Sequence, residues 1–429
     1  MGRRYFKSSQ FLKLAEEVIP LGSQTFSKSR TQYPVGVSPL FAERAHGSKL
    51  TDIDGNNFID LVSALAAVTL GYSDRKVINA VRQQLKLGSI YSLPGKLEQE
   101  VASLLVNLIP CAEMVRFGKN GTDATSAAIR LARAYTNKEH IATCGYHGWQ
   151  DWYIGSTTRN KGVPKGVQEL THNFDYNDLD SLKNLFSKYK NSIAAVIMEP
   201  MNSTYPTAGF LQGVKDICKH NGAVLVFDET ITGFRYSKGG AQELFGVIPD
   251  LATFGKGIAN GFPISAVVGR REIMMEMEEI FFSGTFGGEL LSLAAAKSVL
   301  NRHLDGSVTQ KLSDIGKNLN NRINSVISSL GMEHILSLSG HETWKFLNWN
   351  ATNDIDVATL KTFFMQEMFQ KGILILNTHN VTLAHSNRDI YKIENAYLEV
   401  LTNMKNSIED GTLKSKLRVK PLQPLFKVR

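Results

Sequence analysis

The chain has 429 residues, of which 43% are hydrophobic and 21% are charged. This balance is that of a globular protein with substantial cores, and it excludes a disordered or collagen-like chain. The formal net charge is +8, but the basic residues are spread along the sequence. Long basic runs typical of nucleic-acid binding are absent, so the charge favours small phosphorylated or carboxylated ligands.

The cysteines and the amino terminus bear on the compartment. The three cysteines, Cys111, Cys144 and Cys218, form no CxxC pair and no even framework. This spacing favours a reducing interior and gives no support for zinc or another metal. The first 18 residues lack the apolar core of a signal peptide, and no apolar run reaches the length of a membrane span. We therefore expect a cytoplasmic protein.

The amino-terminal segment predicts a helix followed by a small β element. Apolar residues recur at helical spacing over residues 9–19, and Pro20 and Gly22 end the pattern. Three strand-like stretches follow, and the turn Asp54-Gly55-Asn56 precedes the last of them. These stretches are residues 40–45, 49–52 and 58–61.

From about residue 75, short apolar runs alternate with helices, as in a parallel sheet covered on both faces. The predicted helices here are residues 76–87, 96–108, 124–135 and 214–219, and the strands are 115–117, 193–198 and 223–227. Beyond residue 300, predicted helices at 308–330 and 357–370 flank a polar stretch at 337–343. We predict a large α/β domain over residues 76–300, and a smaller domain built from residues 1–75 and 301–429.

Two groups at element ends form the sharpest candidate pair. Asp228 ends the apolar strand 223–227, and the carboxyl ends of such strands open onto the ligand crevice in α/β sheets. Lys256 lies between two glycines beside apolar runs, where partial desolvation would lower the pKa of its amine, as a Schiff-base lysine requires. Taken singly, each residue also fits a solvated acid or a loop lysine without a role.

Two further segments suit a phosphorylated, planar ligand. Asn120, Gly121 and Thr122 precede a strongly helical run, where backbone N–H groups can bind a phosphate, although ordinary helix capping is the alternative. Tyr146 lies in an aromatic, glycine-rich loop and can stack on a planar ring. A lysine for an aldehyde, an acid for a ring nitrogen, a phosphate cup and an aromatic plate together describe a pyridoxal phosphate site.

The sequence resembles the class III (subgroup II) pyridoxal-phosphate aminotransferases, and within them the glutamate-1-semialdehyde 2,1-aminomutase branch. The similarity covers nearly the whole chain. The motifs that carry it are Ile19-Pro20-Leu21-Gly22, Leu50-Thr51-Asp52-Ile53-Asp54-Gly55-Asn56, Val115-Arg116-Phe117, Arg130-Leu131-Ala132-Arg133-Ala134, Tyr146-His147-Gly148, Asp228-Glu229-Thr230-Ile231-Thr232-Gly233-Phe234-Arg235 and Leu383-Ala384-His385.

The resemblance implies the α/β fold of fold type I pyridoxal-phosphate transferases, with a mostly parallel seven-stranded sheet between helices and a smaller α+β domain. It also implies a homodimer with shared active sites and small-molecule substrates. The dispersed basic residues and the lack of a long apolar run separately predict no nucleic-acid or membrane partner. The implied cofactor contacts are a Schiff base at Lys256, Asp228 at the pyridine nitrogen, Asn120, Gly121 and Thr122 at the phosphate, Tyr146 as the stacking ring, Glu199 and Thr230 beside the ring, and Thr285 at the partner's phosphate.

Several positions depart from the aminomutase pattern. Thr230 replaces the usual valine, Lys28 takes the place of an arginine for the substrate carboxylate, and Asn377 replaces a glutamate. Trp149 and Asn202 are further candidate substrate contacts. These changes favour an aminotransferase that uses an amino acid donor, with glutamate expected, and a ketone or aldehyde acceptor. The alternatives are the aminomutase, another reaction of the same cofactor, such as racemisation or decarboxylation, and a catalytically inactive protein that keeps the fold.

Overall fold

The computed structural model describes residues 3–352 and 354–423. Its strands are β1 (Ala42–His46), β2 (Lys49–Asp52), β3 (Asn57–Asp60), β4 (Met114–Gly118), β5 (His140–Cys144), β6 (Thr171–Asn173), β7 (Ile193–Met198), β8 (Val224–Asp228), β9 (Leu251–Phe254), β10 (Ser265–Gly269), β11 (Leu336–His341), β12 (Trp344–Trp349), β13 (Ile373–Leu374) and β14 (Thr378–Asn380).

The α-helices are α1 (Phe6–Val18), α2 (Ser63–Ala66), α3 (Arg75–Leu85), α4 (Lys96–Leu108), α5 (Gly121–Thr136), α6 (Asp151–Ile154), α7 (Lys165–Gln168), α8 (Leu179–Lys188), α9 (Phe210–His220), α10 (Ala241–Phe245), α11 (Arg271–Met274), α12 (Leu290–His303), α13 (Ser307–Ser329), α14 (Val357–Gln370) and α15 (Asn387–Glu409). Short 3-10 helices span Arg3–Tyr5, Pro20–Gly22, Phe26–Lys28, Lys256–Ala259 and Met275–Glu278. No helix in the described ranges combines the length and the apolar character needed to cross a membrane.

The chain forms two compact units, one over residues 75–310 and one over the described residues of 3–74 and 311–423. The first unit holds a seven-stranded sheet in the order β4-β10-β9-β8-β7-β5-β6. Strands β5 to β9 are parallel, whereas β10 runs antiparallel to both of its neighbours. The predicted seven-stranded, mostly parallel sheet is therefore confirmed.

The central strands are buried on both faces because their side chains alternate between two apolar clusters. Ala195, Ile197, Val224 and Val226 pack with helix α5 on one face. The intervening residues, such as Val196 and Phe227, pack with helices α8 and α9 on the other face. Burial of apolar surface contributes about 25 cal/mol per Å², so these two layers stabilise the sheet.

The second unit contains a sheet of order β1-β2-β3-β13 and a sheet of order β11-β12-β14. The amino-terminal β element predicted from the sequence is present as β1, β2 and β3. The stretch at 337–343, which the sequence indicated only as polar, instead forms most of strand β11 and its turn into β12. Its serines are tolerated because backbone pairing with β12 holds the strand, while Leu336 stays buried opposite Trp349.

Helix α2 is a single left-handed turn. Ser63, Ala64, Leu65 and Ala66 have φ values of 48°, 50°, 59° and 67°, in the left-handed region that side chains other than glycine disfavour. The buried Asp60 carboxylate stabilises this turn by accepting hydrogen bonds from the Val62 and Ser63 amides at 2.7 and 3.1 Å.

A buried histidine makes the second unit sensitive to acid. His379 on β14 is fully buried, with Nε2 2.6 Å from the Tyr397 hydroxyl and Nδ1 3.3 Å from Asn320 Oδ1. Burial lowers the pKa of His379 from 6.5 to about 3, and the nearby charges of Lys345 and His385 act in the same direction. The ring is therefore neutral in the folded chain at neutral pH.

Between pH 6.5 and about 3, the unfolded chain binds a proton on His379 and the folded chain does not. The free energy of unfolding therefore decreases as the pH is lowered through that window. We expect His379 to account for a loss of ~2 kcal/mol between about pH 7 and pH 5. Urea unfolding of the wild type and of His379→Gln over this range measures the effect. An equal acid dependence in the two proteins would contradict it.

Candidate functional site

The site lies along one edge of the large sheet. Because β10 is antiparallel to β4 and β9, strands β4, β5, β7, β8 and β9 all point the same way and end at the same edge. In open α/β sheets this edge is where ligands bind. The residues predicted from the sequence that follow or end these strands are Asn120, Tyr146, Glu199, Asp228 and Lys256.

Asp228 is the electrostatic centre of this edge. Its Oδ1 accepts hydrogen bonds from the Thr230 hydroxyl at 2.6 Å, the Thr230 amide at 3.1 Å and the Thr253 hydroxyl at 3.1 Å. Its Oδ2 lies 2.8 Å from Nδ1 of His147. Burial raises the pKa of Asp228, but the contacts with His147 and Thr230 outweigh it, so the pKa lies below its usual value. The carboxylate is charged at neutral pH.

The contact of His147 with Asp228 was not predicted from the sequence, where a lone histidine in a glycine-rich turn indicates a structural role. The imidazole is buried, and within the described residues its Nε2 atom has no hydrogen-bond partner. Thr125 fixes the loop by donating from its hydroxyl to the His147 carbonyl at 2.8 Å. The sequence carried no direct signal for this contact, because it arises from β5 and β8 lying on either side of β7 in the sheet.

Thr230 and two glycines bring the lysine segment close to Asp228. A side chain added at Gly121 would approach the Thr230 methyl to 3.0 Å, and one at Gly255 would approach it to 3.3 Å. Lys256 follows Gly255 directly and is half-buried, with a left-handed φ of 43°. Such strain in a residue other than glycine is concentrated at functional sites. The candidate lysine, acid and phosphate segments therefore meet around Thr230.

The amino terminus of α5 provides a cup for an anion. Asn120 is the N-cap of this helix, and Asp123 in its first turn supports the cap, because its Oδ2 accepts hydrogen bonds from the Lys119 and Asn120 amides at 2.9 and 2.8 Å. Thr122 is therefore not needed as the cap, and its buried hydroxyl has no hydrogen-bond partner in the described structure. Gly148 leaves room beside this hydroxyl, since a Cβ there would lie 2.4 Å from Thr122 Oγ1.

The next part of the edge joins Tyr146 to Glu199. The buried Glu199 carboxylate accepts hydrogen bonds through Oε2 from the Tyr146 amide at 3.1 Å and from Asn202 Nδ2 at 2.8 Å. The Tyr146 ring is partly exposed and packs edge-on against Tyr153, with centroids 5.7 Å apart. Trp149 is 65% exposed. The structure thus brings Asn202 beside Tyr146 and leaves the Trp149 ring largely in solvent.

The remaining candidates lie in other places. Thr285 is exposed. A salt bridge from Lys119 Nζ to Glu289 Oε2 at 3.0 Å connects the segment that carries Thr285 to the phosphate cup. Lys28 and Asn377 belong to the other unit: Lys28 is exposed, and Asn377 is partly buried with its Oδ1 lacking a hydrogen-bond partner among described residues. Their roles in substrate binding remain predictions.

The chain belongs to the class-III aminotransferase family, whose model matches residues 32–404. The chain is therefore an enzyme of this pyridoxal-phosphate-dependent family, and its fold is that of the fold type I transferases. Both expectations from the sequence resemblance are confirmed.

Three relatives illustrate the range of this similarity. The chain is 36% identical to a glutamate-1-semialdehyde 2,1-aminomutase of Alkaliphilus oremlandii over 93% of its own length and 99% of the relative's. It is 30% identical to a 3-aminobutyryl-CoA aminotransferase of Cloacimonas acidaminovorans, covering 94% and 98% of the two chains. The solved structure of the FumI protein from Sphingopyxis sp. MTA144 in its PLP internal aldimine form matches with a TM-score of 0.88 and 26% identity, over 98% and 99%.

The residues present fit pyridoxal phosphate. The unpartnered Thr122 hydroxyl and the helix amino terminus suit the phosphate, and the charged Asp228 suits a protonated ring nitrogen. Lys256 supplies an amine at the adjacent strand end. The edge therefore carries the donor set that the cofactor needs.

Proposed function

We propose that this enzyme is an aminotransferase that moves an amino group from an amino acid, with glutamate as donor, to a ketone or aldehyde acceptor. The observation that carries the proposal is that the charged Asp228 and Lys256 lie at the same sheet edge, at the ends of the neighbouring strands β8 and β9. Similarity to a 3-aminobutyryl-CoA aminotransferase supports transfer between two separate substrates.

Each residue has a defined task in this proposal. The Gly121 and Thr122 backbone and the Thr122 hydroxyl bind the phosphate, with Asn120 at the helix cap, and Tyr146 stacks on the ring. Asp228, oriented by His147, holds the proton on the ring nitrogen. Glu199 orients the Tyr146 loop through the Tyr146 amide.

Bound pyridoxal phosphate supplies the electron sink that stabilises negative charge at the substrate α-carbon. In the absence of substrate, the Lys256 amine would hold the cofactor at its aldehyde group. With a donor amino acid bound, the Lys256 amine would act as the base that removes the proton from the donor α-carbon and as the acid that returns it, and it would play the same two roles for the acceptor. On the substrate side we assign Lys28, Trp149, Asn202 and Asn377 as candidate contacts.

The Lys256→Ala variant should lose the visible absorbance band of the Schiff base, and its turnover should fall on the order of 1,000-fold or more. In the wild type, the band should bleach on addition of glutamate and recover with the acceptor. Lys161→Ala, at a solvent-exposed lysine, serves as the matched control and should behave as wild type. Retention of both the band and the activity in Lys256→Ala would refute the assignment.

Similarity to curated aminomutases favours a second candidate, glutamate-1-semialdehyde 2,1-aminomutase. This enzyme would form 5-aminolevulinate from glutamate 1-semialdehyde with no external acceptor. Assaying that conversion beside the donor and acceptor screen separates the two reactions. No reaction in either assay by protein that carries the cofactor would instead support a catalytically inactive member of the fold.

We also infer that the active form is a cytoplasmic homodimer. Residues 85–93 carry several exposed apolar side chains, including Leu87 at 70% and Leu93 at 78% exposure. A hydrogen bond of 2.8 Å from the Leu290 amide to the Ser89 carbonyl joins this segment to the one that carries Thr285 and the exposed Phe286. A large apolar surface beside a candidate phosphate ligand fits a second copy of the chain, whose cofactor Thr285 would reach.

The double variant Leu87→Glu/Leu93→Glu should be monomeric by light scattering, because it places charge in the proposed interface. It should also retain the cofactor less tightly by about 10-fold, since the partner's Thr285 would be lost. Leu244→Glu, at a partly exposed apolar residue outside this surface, should leave the dimer unchanged. A wild type that is monomeric at micromolar concentration, or a double variant that remains dimeric, would contradict the inference.

A further inference from the structure

Thr230 makes the shortest of the hydrogen bonds to Asp228. Its hydroxyl donates to Oδ1 at 2.6 Å, whereas the Thr253 hydroxyl donates to the same atom at 3.1 Å. A short hydrogen bond to a charged acceptor has a large electrostatic effect on that acceptor. The carboxylate is almost fully buried, so water does not screen this effect.

The hydroxyl is not needed to hold the local backbone or the orientation of the carboxylate. The Thr230 amide donates to Asp228 Oδ1 at 3.1 Å, which closes the turn after β8 without any help from the side chain. The Thr253 hydroxyl and His147 Nδ1 still hold Oδ1 and Oδ2 when the Thr230 hydroxyl is removed. The effect of the hydroxyl is therefore on the charge of the carboxylate.

The donors are distributed unequally between the two oxygens. Oδ1 accepts three hydrogen bonds, from both groups of Thr230 and from Thr253, whereas Oδ2 accepts one, from His147. A carboxylate offers about four acceptor sites on its two oxygens. The described contacts therefore saturate Oδ1 and leave Oδ2 with acceptor capacity for a ring nitrogen.

We propose that the Thr230 hydroxyl tunes the cofactor by reducing the basicity of Asp228, so that the proton shared with the ring nitrogen stays on the ring. Thr230 is thus a tuning residue that acts on the cofactor through Asp228. The proposal rests on the proposed function, because it assigns the ring nitrogen of pyridoxal phosphate to Oδ2. The proton moves only along the hydrogen bond between the ring nitrogen and the carboxylate, so no other reactant is involved.

Two variants separate the hydroxyl from the rest of the side chain. Thr230→Val keeps the branched shape that packs against Gly121 and Gly255 but removes the donor. Thr230→Ser keeps the donor and removes the methyl. His147 is the titratable side chain that contacts Asp228, and it is unchanged in both variants. A change that appears in Thr230→Val and not in Thr230→Ser therefore reports the hydroxyl.

The test uses holoenzyme loaded with pyridoxal phosphate carrying ¹⁵N in the ring, observed by NMR at one pH, together with a pH titration of its visible band. In Thr230→Val the ring ¹⁵N resonance should move toward the unprotonated form. Because the ring would then be less positive, the pH at the midpoint of the titration of the visible band should rise by about half a unit. The free-energy change that corresponds to this shift is well within the effect of one charged hydrogen bond. Thr230→Ser should match the wild type in both measurements.

The outcomes distinguish this inference from the proposed function. Identical ring ¹⁵N shifts and midpoints in Thr230→Val and the wild type would overturn the role of the hydroxyl while leaving the cofactor assignment in place. Equal shifts in Thr230→Ser and Thr230→Val would also overturn it, because packing would then be the cause. A wild-type protein that forms no visible band with pyridoxal phosphate would overturn the proposed function and this inference together.

Discussion

The site depends on keeping one buried carboxylate charged. Burial alone would favour the protonated form of Asp228, and the hydrogen bonds from His147 and Thr230 reverse that preference. A charged acid at this position can stabilise a protonated pyridine ring, whereas a neutral one cannot. The loop that carries His147 and the turn that carries Thr230 both contribute to this state, so the chemistry rests on two segments far apart in sequence.

The sheet makes those segments neighbours. Five strands end at one edge because β10 turns back between β4 and β9 and so leaves those two strands parallel to the rest. Glycine is required where backbones come closest: Gly148 has a φ of +108°, and any side chain there would collide with the Thr122 hydroxyl. The rigid apolar layers on both faces fix these distances, which explains how a site built from loops can be preorganised.

Much of this arrangement could be predicted from the sequence, for reasons that differ between residues. Uninterrupted apolar runs predicted strands β7 and β8 because both faces are buried, and helix α4 coincided with its periodic pattern over residues 96–108. The sequence predicted that Asp228 and Lys256 lie at element ends, and in the structure the corresponding strand ends share one edge of the sheet. The pairing of His147 with Asp228 could not be predicted, because it depends on the order of strands in space. Likewise, strand β11 could not be predicted, because its segment is polar and is stabilised by pairing with β12.

The central claim is that the amine of Lys256 and the carboxylate of Asp228 serve the same cofactor. The most direct measurement is borohydride reduction of the wild-type holoenzyme, followed by proteolysis and mass spectrometry of the lysine peptides. The account predicts a single pyridoxyl adduct, on the peptide that contains Lys256. An adduct on another lysine, such as Lys119 beside the phosphate cup, or no adduct from protein that shows the visible band, would contradict it.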